Sequence, residues 1–175
     1  MTEQARLTHV DAHGAARMVD VSAKSVTVRT ASASGRVLVS PTVVALLRGE
    51  GMPKGDALAV ARIAGIQAAK RTPDLIPLCH PIAVHGVDVD LVVNEDAVVV
   101  TATVRTADRT GVEMEALTCV AVAGLTLVDM VKAVDREAVI TDIRVESKTG
   151  GRTGDWRRSG AGSEDPGSAT AEPAS

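Results

Sequence analysis

Arg109-Thr-Gly-Val-Glu-Met-Glu115 opens a long apolar stretch with two carboxylates. Both suit the first turn of a helix, where acidic side chains favour the positive end of the backbone dipole. Glu113 and Glu115 nevertheless lie about 200° apart at ~100° per residue, so one of them enters the apolar side of the helix. A carboxylate buried there needs a cation or hydrogen-bond donors. Near the far end of the same stretch, Asp129 and Lys132 have the spacing of an ordinary i, i+3 pair. Their setting among Leu125, Leu127, Val128, Met130, Val131 and Val134 makes them candidates for buried charges that move protons, with a structural ion pair as the alternative. The helix separates Glu115 from Asp129 by about 21 Å at ~1.5 Å per residue, too far to act on one atom within one chain.

A second concentration is Thr72-Pro-Asp-Leu-Ile-Pro-Leu-Cys-His-Pro81. Prolines bracket an apolar run, which reads as a stiff, extended connector with His80 restricted by the following proline. A packed loop with a hydrogen-bonded histidine accounts for it as well as a functional one does. Cys79, His80 and His85 raise the idea of a metal, but the spacing fits no structural zinc pattern and a fourth ligand is missing. Two glycine-bearing segments, Gly51-Met-Pro-Lys54-Gly-Asp56 and Lys148-Thr-Gly-Gly-Arg-Thr-Gly-Asp155, have the composition of phosphate cradles. Neither is a P-loop, and no G-x-G-x-x-G occurs, so the glycines alone are weak pointers.

The elements that must position these residues follow from periodicity. Gly35–Ser40 reads as a short strand, preceded by residues 1–34 as an extended N-terminal arm. Pro41 sits where a first-turn proline belongs, ahead of a short helix that ends near Gly49. Asp56 is placed to cap an amphipathic helix from Ala57 to about Arg71. Strict alternation over 87–93, a turn at Asn94–Asp96 and a return over 97–106 make a strand pair. A long helix over 112–134 follows, then a strand over 138–147 with Val139, Ile143 and Val145 on one face. Setting the first short helix aside, the order β-α-β-β-α-β predicts an α+β fold: a ferredoxin-like antiparallel sheet with helices on one face. The other face needs a cover, which oligomerisation supplies most simply.

Composition narrows the function classes. The 175 residues include one tryptophan and no tyrosine or phenylalanine, so the core is aliphatic and stacking platforms for single-stranded nucleic acid are missing. Residues 159–175 carry three acids and no base, which leaves 19 positive against 19 negative side chains over 1–158. A neutral body has no global field to draw in nucleic acid or membrane. We read 1–158 as a single domain and 159–175 as a disordered acidic tail. The longest stretch free of charge runs 13 residues, short of a spanning helix. Without an apolar leader, Cys79 and Cys119 read as reduced cytoplasmic thiols.

Taken together, MVDVSAK (18–24), KGD (54–56), ARIAGIQAAKRTPDLIPLCHP (61–81), TGVEMEALT (110–118), DMVKAV (129–134) and SKTGGRTGD (147–155) resemble the MoaC family. These are the cyclic pyranopterin monophosphate synthases of molybdenum cofactor biosynthesis, and the likeness runs from about residue 7 to 156. The resemblance implies a ferredoxin-like subunit in a homohexamer, a trimer of dimers with sites at subunit interfaces. It implies conversion of a 3′,8-cyclised dihydroguanosine triphosphate to cyclic pyranopterin monophosphate with release of pyrophosphate. The family's catalytic aspartate falls on Asp129, its neighbouring lysine on Lys132 and its loop lysine on Lys54. Its substrate-binding stretches fall on Leu78-Cys79-His80 and Met114-Glu115, with Glu113 beside them and Lys148 as a further basic residue. No cofactor is required; Mg2+ is the ion that would accompany the phosphates, and the sequence offers it no site. Arg109 departs from the lysine many members carry, exchanging a compact ammonium for a planar fork. An oligomeric nucleotide carrier and a purely structural oligomer are the rival readings.

Overall fold

Alternating small apolar and polar side chains build the centre of the sheet. The computed structural model describes residues 8–11, 13–50, 56–152 and 154–159. Strand β1 (Thr27–Leu38) pairs antiparallel with β3 (Ala97–Asp108) on one side and β4 (Val139–Thr149) on the other. Outer strands β2 (Gly86–Val93) and β5 (Trp156–Arg157) complete a five-stranded antiparallel sheet in the order β2-β3-β1-β4-β5. Helices α2 (Ala57–Ala69) and α4 (Glu113–Val131) pack against each other and onto one face of it. This is an α+β architecture.

The strand pair expected over 87–106 is present with its turn, and β3 continues to Asp108. Asp56 caps α2 as its position predicts: its side chain accepts a hydrogen bond from the Ala59 amide at 3.0 Å. Strand β1 begins eight residues before the expected Gly35, so the arm ends before Thr27. Residues 27–34 hide this strand because the side chains facing the helices, Ala31 and Ala33, are small; both are fully buried. The short helix is α1 (Pro41–Ala45), followed by a wider turn over Leu46–Glu50. Thr72–Leu75 forms one helical turn, α3, instead of an extended connector, closed by the Ile76 amide donating to the Thr72 carbonyl at 2.9 Å.

Strand β4 corrects a face assignment. Ile140 pairs with the buried Val37 and packs against the core, while Val139, its neighbour, is half-exposed. The register then shifts between Ser34 and Arg36, where Asp142 adopts φ 56°. Such a bulge inserts a residue and returns later side chains to the first face. Ile143 and Val145 therefore face the helices, and Val139 does not share their side.

The core is aliphatic, and close backbone approach makes up for the missing aromatic volume. A methyl on Gly35 would lie 2.7 Å from Val120 Cγ1, and one on Gly65 would lie 2.9 Å from the Cys119 carbonyl oxygen. Helix α4 is long and apolar enough to cross a membrane by length alone, yet it forms the centre of the helical layer, with Ala116, Cys119, Val120, Ala123 and Leu127 in the core. The sheet's opposite face is largely polar. Ser32 and Thr103 hydroxyls hydrogen bond at 2.9 Å, and Glu146 Oε1 accepts from Ser34 Oγ at 2.5 Å and Arg144 Nε at 2.7 Å. These polar side chains are the ones on that face that water can solvate.

The contact between α2 and α4 is sensitive to volume, because backbone, not a flexible side chain, stands opposite Gly65. Gly65→Ala should lower unfolding free energy by about 1–3 kcal/mol in denaturant titration, despite the better helix propensity of alanine. An unchanged midpoint would show that the two helices are not held at this distance.

Candidate active site at the start of α4

The connector from Asp108 to Val112 carries the chain from β3 into α4 and separates two depressions. One is small, about 50 Å³, and is lined by Arg29, Glu113, Lys148 and Gly150 among others. The other is an open cleft of about 490 Å³ between the arm segment Met18–Ser22, His80 and Arg109. Both contain residues singled out by the sequence.

Glu113 and Glu115 take the different environments that their angular separation requires. Glu113 is half-buried and pairs with Lys148, Nζ to Oε1 3.1 Å, joining α4 to the end of β4. Glu115 is 3% exposed. Burial pushes its carboxyl up to about 7; its own backbone amide works against that, and the charge on Glu113 adds to it. A carboxyl poised there exchanges a proton at neutral pH, the property required of a general acid or base. Cys79 lies close enough for Glu115 to act on it: burial raises the thiol's pKa, and the Glu115 charge raises it further. Cys119, one turn along α4, is fully buried, and burial pushes its thiol up to about 12. Both cysteines are therefore protonated thiols at neutral pH.

His80 Nε2 lies 2.7 Å from the Val19 carbonyl, and the Arg109 Nε donates to the Lys24 carbonyl at 3.0 Å. These two bonds hold the segment Val19–Lys24 over the connector. In the same region the Ser22 amide donates to Asp20 at 2.8 Å; that bond lowers the Asp20 pKa, and the neighbouring His80 lowers it further. Leu78 is half-buried in the turn before His80, and Met114 is 37% exposed on α4. His85, the third member of the metal idea, accepts from the Ala107 amide through Nδ1 at 3.3 Å. Among the described residues no three His, Cys, Asp or Glu side chains converge as metal ligands.

Asp129 and Lys132 stand at the other end of α4. Their ion pair has Nζ to Oδ1 at 2.5 Å, with side chains 60% and 61% exposed. The expectation of buried charges is thus corrected for the single chain. These positions share the outward sector of the helix with Leu125, which is 59% exposed, at i, i+4 and i+7 spacing. The chain brings Glu113, Glu115, Cys79 and Lys148 to one end and leaves Asp129 and Lys132 at the other, as the helix length demands. Lys54 lies outside the described residues. Sequence reasoning missed Arg29, which no motif marks; a lone cation in a strand of Thr, Val, Ala and Ser is its one signal.

A buried, protonatable carboxyl beside paired Lys148 and Glu113, on an α+β scaffold, defines a site suited to acid–base work on an anionic small molecule. Residues 18–151 match the MoaC family, and the chain belongs to it. A cyclic pyranopterin monophosphate synthase of Streptomyces coelicolor is 76% identical over 156 residues, covering 89% of this chain and 92% of the relative. A synthase of the same name from Nocardioides sp. is 73% identical over 156 residues, covering 87% of this chain and 96% of the relative. Cyclic pyranopterin monophosphate synthase 2 of Mycobacterium tuberculosis is 62% identical over 152 residues, covering 87% and 91%.

Glu115 makes stability depend on pH in a definite direction. Its carboxyl ionises at about 4.5 in the unfolded chain and at about 7 in the folded one, so the folded state binds more protons between these values. Its contribution is fully present below about pH 4.5, falls as pH rises through the window, and is gone above about 7. Denaturant unfolding of wild type and Glu115→Gln between these pH values should show that slope in the wild type and a flatter curve in the variant. Parallel curves would mean that Glu115 ionises normally in the fold.

Proposed function

We propose that this chain is a cytoplasmic lyase of molybdenum cofactor biosynthesis. It converts (8S)-3′,8-cyclo-7,8-dihydroguanosine 5′-triphosphate to cyclic pyranopterin monophosphate and pyrophosphate. The observation that carries the reading is the 76% identity over 156 residues to a relative bearing the synthase name. The site chemistry supports it. Rebuilding a purine into a pterin needs proton transfers at nitrogen and carbon, which Asp129, Lys54 and Lys132 would perform as the catalytic groups. Closing the cyclic phosphate joins a substrate hydroxyl oxygen to the α-phosphorus, passes the hydroxyl proton to a base, and breaks the bond to pyrophosphate. Lys148 and His80 would neutralise that leaving group. Leu78, Cys79, Glu113, Met114 and Glu115 would bind the substrate. No step requires a redox cofactor, and Mg2+ would arrive with the phosphates.

We further propose a ferredoxin-like subunit assembled as a homohexamer, with residues 1–158 as its single domain; the tail beyond residue 159 lies outside the described residues. Nucleic acid and membrane are not partners in this reading. The exposed Ile63 and Leu125 on the outer helices support burial against another copy. Leu125 lies on the same sector as Asp129, so a partner covering it would also reach the catalytic pair.

Purified protein given the cyclised dihydro-GTP should release pyrophosphate and a pterin; binding without turnover would favour a carrier. Asp129→Asn should keep its assembly state in light scattering and lose at least about 100-fold in turnover. Loss of assembly with normal turnover per folded subunit would make Asp129 structural. Mixing Lys54→Ala with Asp129→Asn subunits, with exchange confirmed, should restore activity above either parent if those residues meet across an interface. Failure of rescue would place that pair within one chain.

A further inference from the structure

The turn that closes α4 carries a buried acid that the functional reading does not use. Asp135 is 8% exposed. Its amide and that of Val134 both donate to the Val131 carbonyl, at 2.9 and 2.8 Å, so it belongs to the closing turn of the helix. An acidic residue there faces the negative end of the backbone dipole, where a base is favoured. A local rule broken in this way calls for a compensating contact. Asp135 Oδ2 accepts from the Ser40 amide at 2.6 Å, and Oδ1 accepts from the Glu137 amide at 3.0 Å. The Ser40 amide holds the carboxyl below the ordinary carboxylate range; burial opposes this, and the Glu137 amide adds to it.

The Ser40 side of this contact is itself held. Val39 is buried, and its amide donates to the Asp96 carbonyl in the turn between β2 and β3 at 3.1 Å. The Ser40 carbonyl accepts from the Val44 amide of α1 at 3.1 Å, and Pro41 restricts the backbone that follows. One carboxylate thus reaches across 95 positions to fasten the end of α4 to a frame made of β1, α1 and the β2–β3 turn. Helix ends fray unless something of this kind secures them. The turn so secured bears Lys132, whose amide donates to the Val128 carbonyl at 2.9 Å and whose side chain pairs with Asp129. Both side chains of that pair are mostly exposed, so their placement follows the backbone that bears them.

We propose that Asp135 is a positioning residue for the reaction: by anchoring the closing turn of α4 to Ser40, it fixes where Lys132 and Asp129 stand. The proposal deepens the functional reading and rests on it for the role of that pair. Full-length wild type, Asp135→Ala and Asp135→Asn are assayed with the cyclised dihydro-GTP, each also in a Lys132→Ala background under single-turnover conditions. Folded fraction is measured by circular dichroism, and hydrogen exchange is followed over residues 132–137. Asp135→Ala should lower kcat per folded subunit about 10- to 100-fold, the scale of a small misplacement of catalytic groups. KM should stay within about twofold, because the proposed binding residues Glu113, Glu115 and Lys148 lie at the other end of α4. Exchange over 132–137 should quicken while the start of α4 keeps its protection. Asp135→Asn retains an amide acceptor and should fall between. In the Lys132→Ala background the loss from Asp135→Ala should shrink below about twofold, since the residue through which it acts is gone.

Unchanged kcat per folded subunit in Asp135→Ala would overturn the positioning role. An undiminished loss in the Lys132→Ala background would overturn it too, leaving Asp135 a structural staple that does not act through Lys132. Unchanged exchange over 132–137 would overturn the anchor itself, with or without turnover. Should the Ala variant fail to fold, the Asn variant decides by the same comparisons. Wild type that leaves the cyclised nucleotide unconverted, with exchange quickened in Asp135→Ala, would overturn the functional reading and keep the anchor.

Discussion

Helix α4 can come as close to its neighbours as it does because the contacts are made by glycine, alanine and backbone. With no phenylalanine or tyrosine to fill space, the core closes by bringing main chains together. Gly35 admits Val120, Gly65 meets the Cys119 carbonyl, and Gly124 faces Val37 and Ile140. Interiors packed in this way resist small displacements, since every volume change is felt by atoms already in contact. The helix is consequently a fixed ruler. Its first turn is set against β1, β4 and the turn after α3, and its last turn is carried to the far end of the layer.

The electrostatics at the first turn follow from that placement. A helix seated this deeply draws Glu115 out of water with it, and desolvation is the main reason its carboxyl titrates near neutrality. Glu113, two residues earlier, stays at the margin and meets Lys148. The same backbone thus sets one carboxyl against a lysine while burying its neighbour, whose pKa rises.

At the last turn the physical situation is reversed. Asp129 and Lys132 form a solvated pair, and a pair of this kind contributes little to stability. They share the outward sector of α4 with Leu125, an exposed apolar side chain. Covering that sector would desolvate the pair and strengthen its interaction.

Much of this was legible from residues close together in the chain. Period-two alternation defines β2 and β3, Asp56 marks the start of α2, and the angular offset of Glu113 and Glu115 already requires unlike environments. The span of α4 forbids Glu115 and Asp129 a common centre in one subunit. These are local properties, written in spacings of two to four residues and in the rise of a helix. Only tertiary structure decided the rest. The bulge at Asp142 sets one extra β4 residue against β1, and it puts Ile140, not Val139, on the same core face as Ile143. Which sector of α4 meets the sheet, and so which charges are buried, depends on packing partners in β1, β3, β4 and α2. Arg29 enters the site because β1 lies between β3 and β4, bringing it beside Gly151, which is 122 positions further along the chain. No periodicity encodes such a meeting; it is a consequence of strand order and of a turn that only glycine can make.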